Sequence, residues 1–202
     1  MPTIEYFYSA HSAYAYLGAQ KLAQMCSDYN CTLLHRPFYL SPVVEAAGAQ
    51  PFGSRSQAHA EYFFGREIER WAEFRSADMI DFHPTHHDNP LTLPNGLIIA
   101  ATEAGAPVDQ LSYAILKAHW VDDADIADAA TLAVLVTVLG LDADSLLTTA
   151  LSEPIQALHT QYTQSAITRS VFGSPTYFLD GDMFYGQDRL EQMEFVLKKT
   201  VF

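Results

Sequence analysis

Positive charge is scarce in this 202-residue chain: 11 Lys and Arg stand against 24 Asp and Glu, for a formal net charge of -13. That leaves no basic face for a phosphate backbone, so nucleic acid is not an expected partner. Cysteine is nearly absent, with two residues. Cys26 and Cys31 fit neither a CxxC motif nor a paired zinc pattern, and read as two buried thiols. No uninterrupted apolar run approaches the ~18 residues of a membrane span; the richest stretch, Thr131 to Leu141, reads as a buried helix, and no membrane partner is expected. The N-terminus carries no basic segment followed by an apolar one, because MPTIEYFYS runs straight into an alternating strand pattern, and the expected location is the cytoplasm. Repeats and low-complexity tracts are missing too. What remains, 49% hydrophobic and 17% charged, is the balance of a globular chain long enough to bury a full core.

The informative stretch is Ile4 to Gly18, IEYFYSAHSAYAYLG. An apolar run, a polar break at Ser9 to Ser12 and apolar positions at helical spacing predict strand, tight turn and helix start, with Ser12 at the N-cap. The first turn of such a helix leaves unpaired amides and a positive dipole end, which suits an anion. The stripe Tyr16, Leu17, Ala19, Leu22, Ala23 and Cys26 carries the helix over Ala13 to Asp28, and Cys31 to Arg36 alternates as a second, parallel strand. Residues 37 to 58 predict a long loop with one short turn at Val43 to Ala47. A charged helix is predicted over Gln57 to Ala77, and a proline-rich loop over 83 to 94.

Helices are predicted at Leu97 to Glu103, Gln110 to Val121, Ile126 to Leu139, Ala143 to Ala150 and Glu153 to Ser170, punctuated by Pro107, Gly140 and Pro154. The end of the chain predicts strands at Thr176 to Leu179 and Met183 to Tyr185, joined by Asp-Gly, and a last helix over Gln187 to Lys199. The order is therefore β-α-β, a helical insertion, then β-β-α, with two helix N-termini converging on one end of a sheet.

Some residues invite chemistry on their own. His83, His86, His87 and Asp88 lie in a proline-rich loop without the i, i+4 geometry of HExxH, so no metal is expected, and the loop is read as surface or as a border of a substrate pocket. His11, beside Ser12, is placed to act as an acid or base because its ordinary pKa lies near ~6.5. Arg36, Arg55 and Arg189 are candidate partners for a substrate carboxylate. Tyr6, Tyr8, Tyr14, Tyr16, Trp71 and Trp120 offer an aromatic cleft, although such side chains mostly fill cores. A serine hydrolase centred on Ser12 lacks the GxSxG context.

Four segments, FYSAHSAYAYLG (7 to 18), HRPFYL (35 to 40), HWVDDADIAD (119 to 128) and VFGSPTYFLDGDMFYGQDRL (171 to 190), resemble the DsbA-like superfamily. Within it they are similar to the 2-hydroxychromene-2-carboxylate isomerases and the kappa-class glutathione transferases. The resemblance implies an α/β, thioredoxin-like fold of the DsbA type, made of about 1–40 and 171–202, with a helical insertion at about 41–170. It implies glutathione as cofactor and an isomerase acting on a small aromatic carboxylate or enone by reversible addition of the glutathione thiolate, in the degradation of aromatic compounds. A transferase releasing conjugates and a non-catalytic binding module are the alternatives. Where the superfamily's oxidoreductases open the first helix with CxxC, this chain has Ser12, Ala13, Tyr14 and Ala15, so dithiol exchange through this site is excluded.

By the same resemblance Ser12 is the catalytic residue, hydrogen-bonding the glutathione sulfur. Ser174 and Pro175, the latter matching the fold's cis-proline, present main chain to the tripeptide. Gln187 and Asp188 hold its γ-glutamyl end, and His59 stands where the family often carries a lysine. His11, Tyr14, Arg36 and Trp120 are the expected contacts to the small-molecule substrate. Similar proteins pair as homodimers. The family pattern Asp-Phe-x-Ser-Pro-Tyr is here Ser9 to Tyr14, without the aspartate or the proline, which bears on the identity of the organic substrate.

Overall fold

A computed structural model of the chain describes residues 1–81 and 83–200. Val201 and Phe202, the end of the expected C-terminal segment, lie outside the described residues. Four strands, β1 (Thr3–Tyr8), β2 (Thr32–Pro37), β3 (Thr176–Leu179) and β4 (Asp182–Tyr185), form one sheet in the order β2-β1-β3-β4. β1 runs parallel to β2, pairing Tyr6 with His35, and antiparallel to β3, pairing Tyr6 with Tyr177. β3 and β4 are antiparallel around the Asp180-Gly181 turn, where both residues take positive φ. The parallel pair is crossed over by α1 (Ala13–Asp28).

Between β2 and β3 the chain is helical: α2 (Leu40–Ala46), α3 (Gln57–Ala60), α4 (Glu67–Arg75), α5 (Thr92–Glu103), α6 (Val108–Trp120), α7 (Ala129–Val138), α8 (Ala143–Ala150) and α9 (Glu153–Thr168). A short 3-10 turn, Gln187–Arg189, leads into the last helix, α10 (Leu190–Thr200).

Side chains alternate across the sheet, and the two faces bury different cores. Ile4, Tyr6, Tyr8, Tyr177 and Leu179 belong to the main core with α1, α5, α6 and α10, whereas Phe7 and Phe178 join Phe38, Val43, Ala166 and Val171 on the other face. Some of the polar groups that go inside are paired, while the Tyr6 and Tyr177 hydroxyls have no hydrogen-bond partner among the described residues. Tyr8 Oη lies 2.7 Å from both His35 Nδ1 and Ser112 Oγ, and His35 Nε2 lies 2.7 Å from Asp109 Oδ1. α1 meets the last helical segment at Gly18, where an added Cβ would stand 2.8 Å from Gln187 Cβ and 3.2 Å from Leu190 Cδ1. Gly18→Ala is therefore expected to push the 187–190 turn away from α1, with a stability loss of about 1–3 kcal/mol as for other overpacked sites; chemical denaturation measures it.

Several boundaries differ from the sequence reading, each for a local reason. α5 begins at Thr92 rather than Leu97 and contains Pro94. Proline is tolerated in a first turn because no amide is needed there. The predicted Gln57 to Ala77 helix is broken by a π-helical stretch at Glu61–Arg66. The run Thr131 to Leu141, expected to be buried all round, presents Leu132 and Val136 to the core and leaves Val134 and Val138 62% and 78% exposed. Cys26 and Cys31 are free and only partly buried, and burial pushes the Cys26 thiol up to about 12. Among the described residues no helix is long and apolar enough to cross a membrane.

Candidate active site

β1 ends in the turn Ser9–Ser12, and three separate segments hold that turn. Ser9 N donates to Ser174 Oγ at 3.0 Å, Ala10 N to Asn95 Oδ1 at 3.0 Å, and Trp120 Nε1 to His11 O at 2.9 Å. Asn95 is fully buried and shares its amide nitrogen between Phe38 O and His159 Nε2. The turn is thus anchored from the segment leading into β3, from α5 and from α6 together.

Ser12 emerges from it with φ -72° and ψ 119°, the extended conformation of an N-cap, and its Oγ accepts from Ala15 N at 3.2 Å. Its hydroxyl donates to Ser174 O at 3.3 Å, long for an O–H···O bond. Such a donor is held loosely and can be redirected to a ligand. The remaining first-turn amides and the dipole of the 16-residue α1 favour negative charge in front of the hydroxyl. The Ser174-Pro175 peptide bond across from Ser12 is cis.

The second helix start is locked from below. Arg75, at the end of α4, donates to Gln187 Oε1 at 3.0 Å and Gln187 O at 3.1 Å, and it pairs with Glu191. Gln187 is 1% exposed, and its Nε2 has no partner among the described residues. Its side chain therefore braces the turn from inside. Asp188 folds back over Gly186, whose φ of +99° suits glycine, and its carboxylate stays 38% exposed beside Arg189 at 3.2 Å. An exposed pair of this kind is worth little and leaves the carboxylate open to a cationic ligand group. Tyr14, whose hydroxyl donates to Phe63 O at 2.6 Å, has its pKa raised chiefly by burial and further by Glu67, Tyr185 and Asp188.

On the other flank stand four imidazoles. His11 Nδ1 lies 2.9 Å from Ser9 Oγ, and its ring centroid is 4.6 Å from that of His87. His87 in turn lies 4.7 Å from His83 and 5.2 Å from His119, with His87 Nδ1 2.9 Å from His119 Nε2. Trp120 packs edge-on against both His87 and His119. Burial, then the neighbouring imidazoles, hold His11 well below its ordinary value and His87 at about 4; burial alone leads at His119, also at about 4. Among the described residues no group of three or more His, Cys, Asp or Glu side chains has the geometry to hold a metal ion.

Ser12, Ser174, Pro175, His11 and Trp120 are thus gathered at one end of the sheet, with Tyr14 in the first turn of α1. Other expected contacts lie elsewhere. Arg36 pairs across the strands with Phe7, so it projects from the opposite sheet face, where it donates to Tyr162 Oη and approaches Glu5; the structure does not bring it to Ser12. His59 is exposed and packs on Phe63 and Phe64, two aromatic layers out from Tyr14. Trp120 is 6% exposed with its N–H engaged, which makes it a buried support. A cavity of about 370 Å³ lies away from Ser12, along α1 between Gln20, Gln24, Arg75 and Tyr113. Asn95, Arg75 and His119 were not singled out as site residues by the sequence, whereas His87 stood in the loop read as surface or as a border of a substrate pocket. Asn95 alone had a local signal, a polar residue inside an otherwise apolar helix.

The family model of the DSBA-like thioredoxin domain matches residues 3–198. The chain is 26% identical over 199 residues to a 2-hydroxychromene-2-carboxylate isomerase of Sphingobium xenophagum, covering 95% of this chain and 96% of that one. It is 24% identical over 205 residues to glutathione S-transferase kappa 1 of Rattus norvegicus, covering 96% and 90%. Among solved structures, a 2-hydroxychromene-2-carboxylate isomerase superposes with a TM-score of 0.84 at 23% identity, covering 98% of this chain and 95% of that one.

Proposed function

We propose that this chain, which belongs to the DSBA-like thioredoxin domain family, is a glutathione-dependent isomerase of a small aromatic carboxylate or enone, of the 2-hydroxychromene-2-carboxylate type. The observation that carries the reading is Ser12: a hydroxyl at the N-terminus of α1, tied to Ser174 O by a long bond only, where oxidoreductases of the fold carry a cysteine. When bound, glutathione supplies a thiolate that adds reversibly to a conjugated carbon, so that a double bond becomes single long enough to turn. The chain's own task is to hold the sulfur ionised. Ser12 Oγ donates to it, and the first-turn amides of α1 face it. The Ser174 main chain lies beside this point for the tripeptide backbone, and the partly exposed Asp188 carboxylate is open to the γ-glutamyl ammonium. Gln187, fixed by Arg75, sets where Asp188 stands. By the family resemblance the protein is proposed to act as a cytoplasmic homodimer.

Calorimetric titration with glutathione, followed by absorbance scans with 2-hydroxychromene-2-carboxylate, tests the reading. Binding with glutathione-dependent turnover supports it, binding with release of an adduct favours a transferase, and no binding overturns both. Asp188→Ala is expected to weaken glutathione by about 1.5 kcal/mol, the low end for a charge-assisted bond because the carboxylate is partly solvated. Thermal stability should stay nearly constant. Equal affinity for both proteins would remove Asp188 from the site.

A further inference from the structure

The imidazole column beside Ser12 has no part in holding a tripeptide, yet three separate elements build it: the β1–α1 turn brings His11, the loop after residue 83 brings His87, and the last turn of α6 brings His119. Its rings are 4.6 and 5.2 Å apart, and one N···N contact of 2.9 Å joins His87 to His119. Two imidazoles at that separation, His119 buried and His87 half-buried, must share a proton between them, since two facing lone pairs or two facing N–H groups would repel. His11 is tethered through Nδ1 to Ser9, which leaves Nε2 uncommitted among the described residues, whereas His119, 1% exposed, is committed to His87 through Nε2 and faces the Ala124 backbone with its other edge. The column therefore has spare hydrogen-bonding capacity one residue from the nucleophile's expected position.

We propose that His11, His87 and His119 form the wall of the acceptor half of the site and donate a neutral imidazole N–H to the carbonyl oxygen of a conjugated, α,β-unsaturated acceptor. The proposal rests on the preceding reading for the glutathione sulfur that adds and for placing the acceptor beside Ser12. As the C–S bond forms at the β-carbon, the C=C pair shifts toward the carbonyl and negative charge collects on its oxygen. The reverse shift expels the sulfur. Nothing is oxidised or reduced, and the imidazole keeps its proton throughout, acting as a donor to an oxygen that gains charge. A neutral imidazole suits this role, as a protonated one would also bind carboxylates without regard to conjugation. The surroundings keep the column neutral near pH 7. Burial and the flanking imidazoles, including His83 and His86, outweigh Asp88 beside His87 and Asp123 beside His119, and Asp123 is itself occupied by Thr85.

The test uses 4-dimethylaminocinnamaldehyde, a conjugated carbonyl whose absorbance moves to longer wavelength when its oxygen accepts a hydrogen bond, titrated into the protein without glutathione. The wild type is expected to bind it with a red shift. His87→Phe, in a half-buried loop, should bind with the shift lost, and His11→Phe likewise, while Ser12→Ala keeps it. Glutathione affinity should be unchanged in His87→Phe while turnover of a conjugated acceptor falls roughly 10²-fold, as for loss of one donor to a developing oxyanion. A shift that persists in both histidine variants, or a wild type that gives none, overturns the proposal. A wild type that shifts the probe yet ignores glutathione keeps the imidazole donation to the carbonyl and removes the preceding reading.

Discussion

Ser12→Ala is expected to raise the pKa of enzyme-bound glutathione by about one to two units, because a donor to the charged sulfur, worth roughly 1.5–3 kcal/mol, is lost. Ser12 is 8% exposed, so water replaces its hydroxyl poorly and the upper part of that range applies. Turnover at neutral pH should fall by about 10- to 100-fold and recover in part at high pH, where the thiol ionises unaided. The substitution also removes the cap on Ala15 N, a separate loss of about 1 kcal/mol in stability. Ser12→Gly separates the two effects: glycine at an N-cap costs only a few tenths of a kcal/mol, yet it lacks the hydroxyl just the same. Both variants should shift the bound thiol equally, followed by its ultraviolet thiolate band. An unchanged thiol pKa in both would leave Ser12 a helix cap and the α1 terminus the sole activator.

Ser12 was legible because everything that places it is local: an alternating strand, a polar break and a helical stripe within fifteen residues. The β3–β4 turn was readable for the same reason, as Asp-Gly accepts the positive φ both residues adopt. Of the histidine column, His11 and the His87 loop were noted separately, but their meeting with His119 was not legible, since residues 11, 87 and 119 share no spacing rule and meet only because α6 and the 83–91 loop both reach the β1–α1 turn. Arg75 likewise carries no sign, at the end of a charged helix, that it braces Gln187 from 112 residues away.

Arg36 illustrates a different miss. With Arg55 and Arg189 it was a candidate partner for a substrate carboxylate, but strand parity puts it on the face of Phe7 and Phe178, where it approaches Glu5. The apolar run of α7 was misjudged on the same ground of parity: Val134 and Val138 lie about half a turn from Leu132 and Val136 on a 3.6-residue helix, so one stripe packs and the other does not.

Acid is expected to unfold the protein well above the pH at which its carboxylates titrate, through two buried histidines. His119 and His159 are 1% and 0% exposed, and burial holds both at about 4 against an ordinary ~6.5. Their folded pKa values are depressed, so the unfolded chain takes up protons first. Stability is full above pH ~6.5 and drains away as pH falls toward 4. A gap of about 2.5 units corresponds to about 3.4 kcal/mol for each residue, and the pair together to about 7 kcal/mol, a large part of the roughly 5–15 kcal/mol typical of a domain. His87, also at about 4, adds to the same fall. Glu194, held down to about 2 by Lys21 and Lys198, acts in a separate window, losing its contribution only as pH drops below the ordinary carboxylate range. Relief of net negative charge opposes the loss, but it is spread over an exposed, screened surface. Urea unfolding free energies measured from pH 7.5 to 4.5 should decline with a slope of about 2.7 kcal/mol per pH unit from His119 and His159, and about 4 with His87 included, where these imidazoles are protonated in the unfolded chain only. His159→Gln retains an amide toward Asn95 and removes one titrating group, so its slope should be shallower by about 1.4 kcal/mol per pH unit. A flat wild-type profile across that range would show that these imidazoles take up protons in the folded protein as readily as in the unfolded chain, and the neutral column beside Ser12 would lose its physical basis.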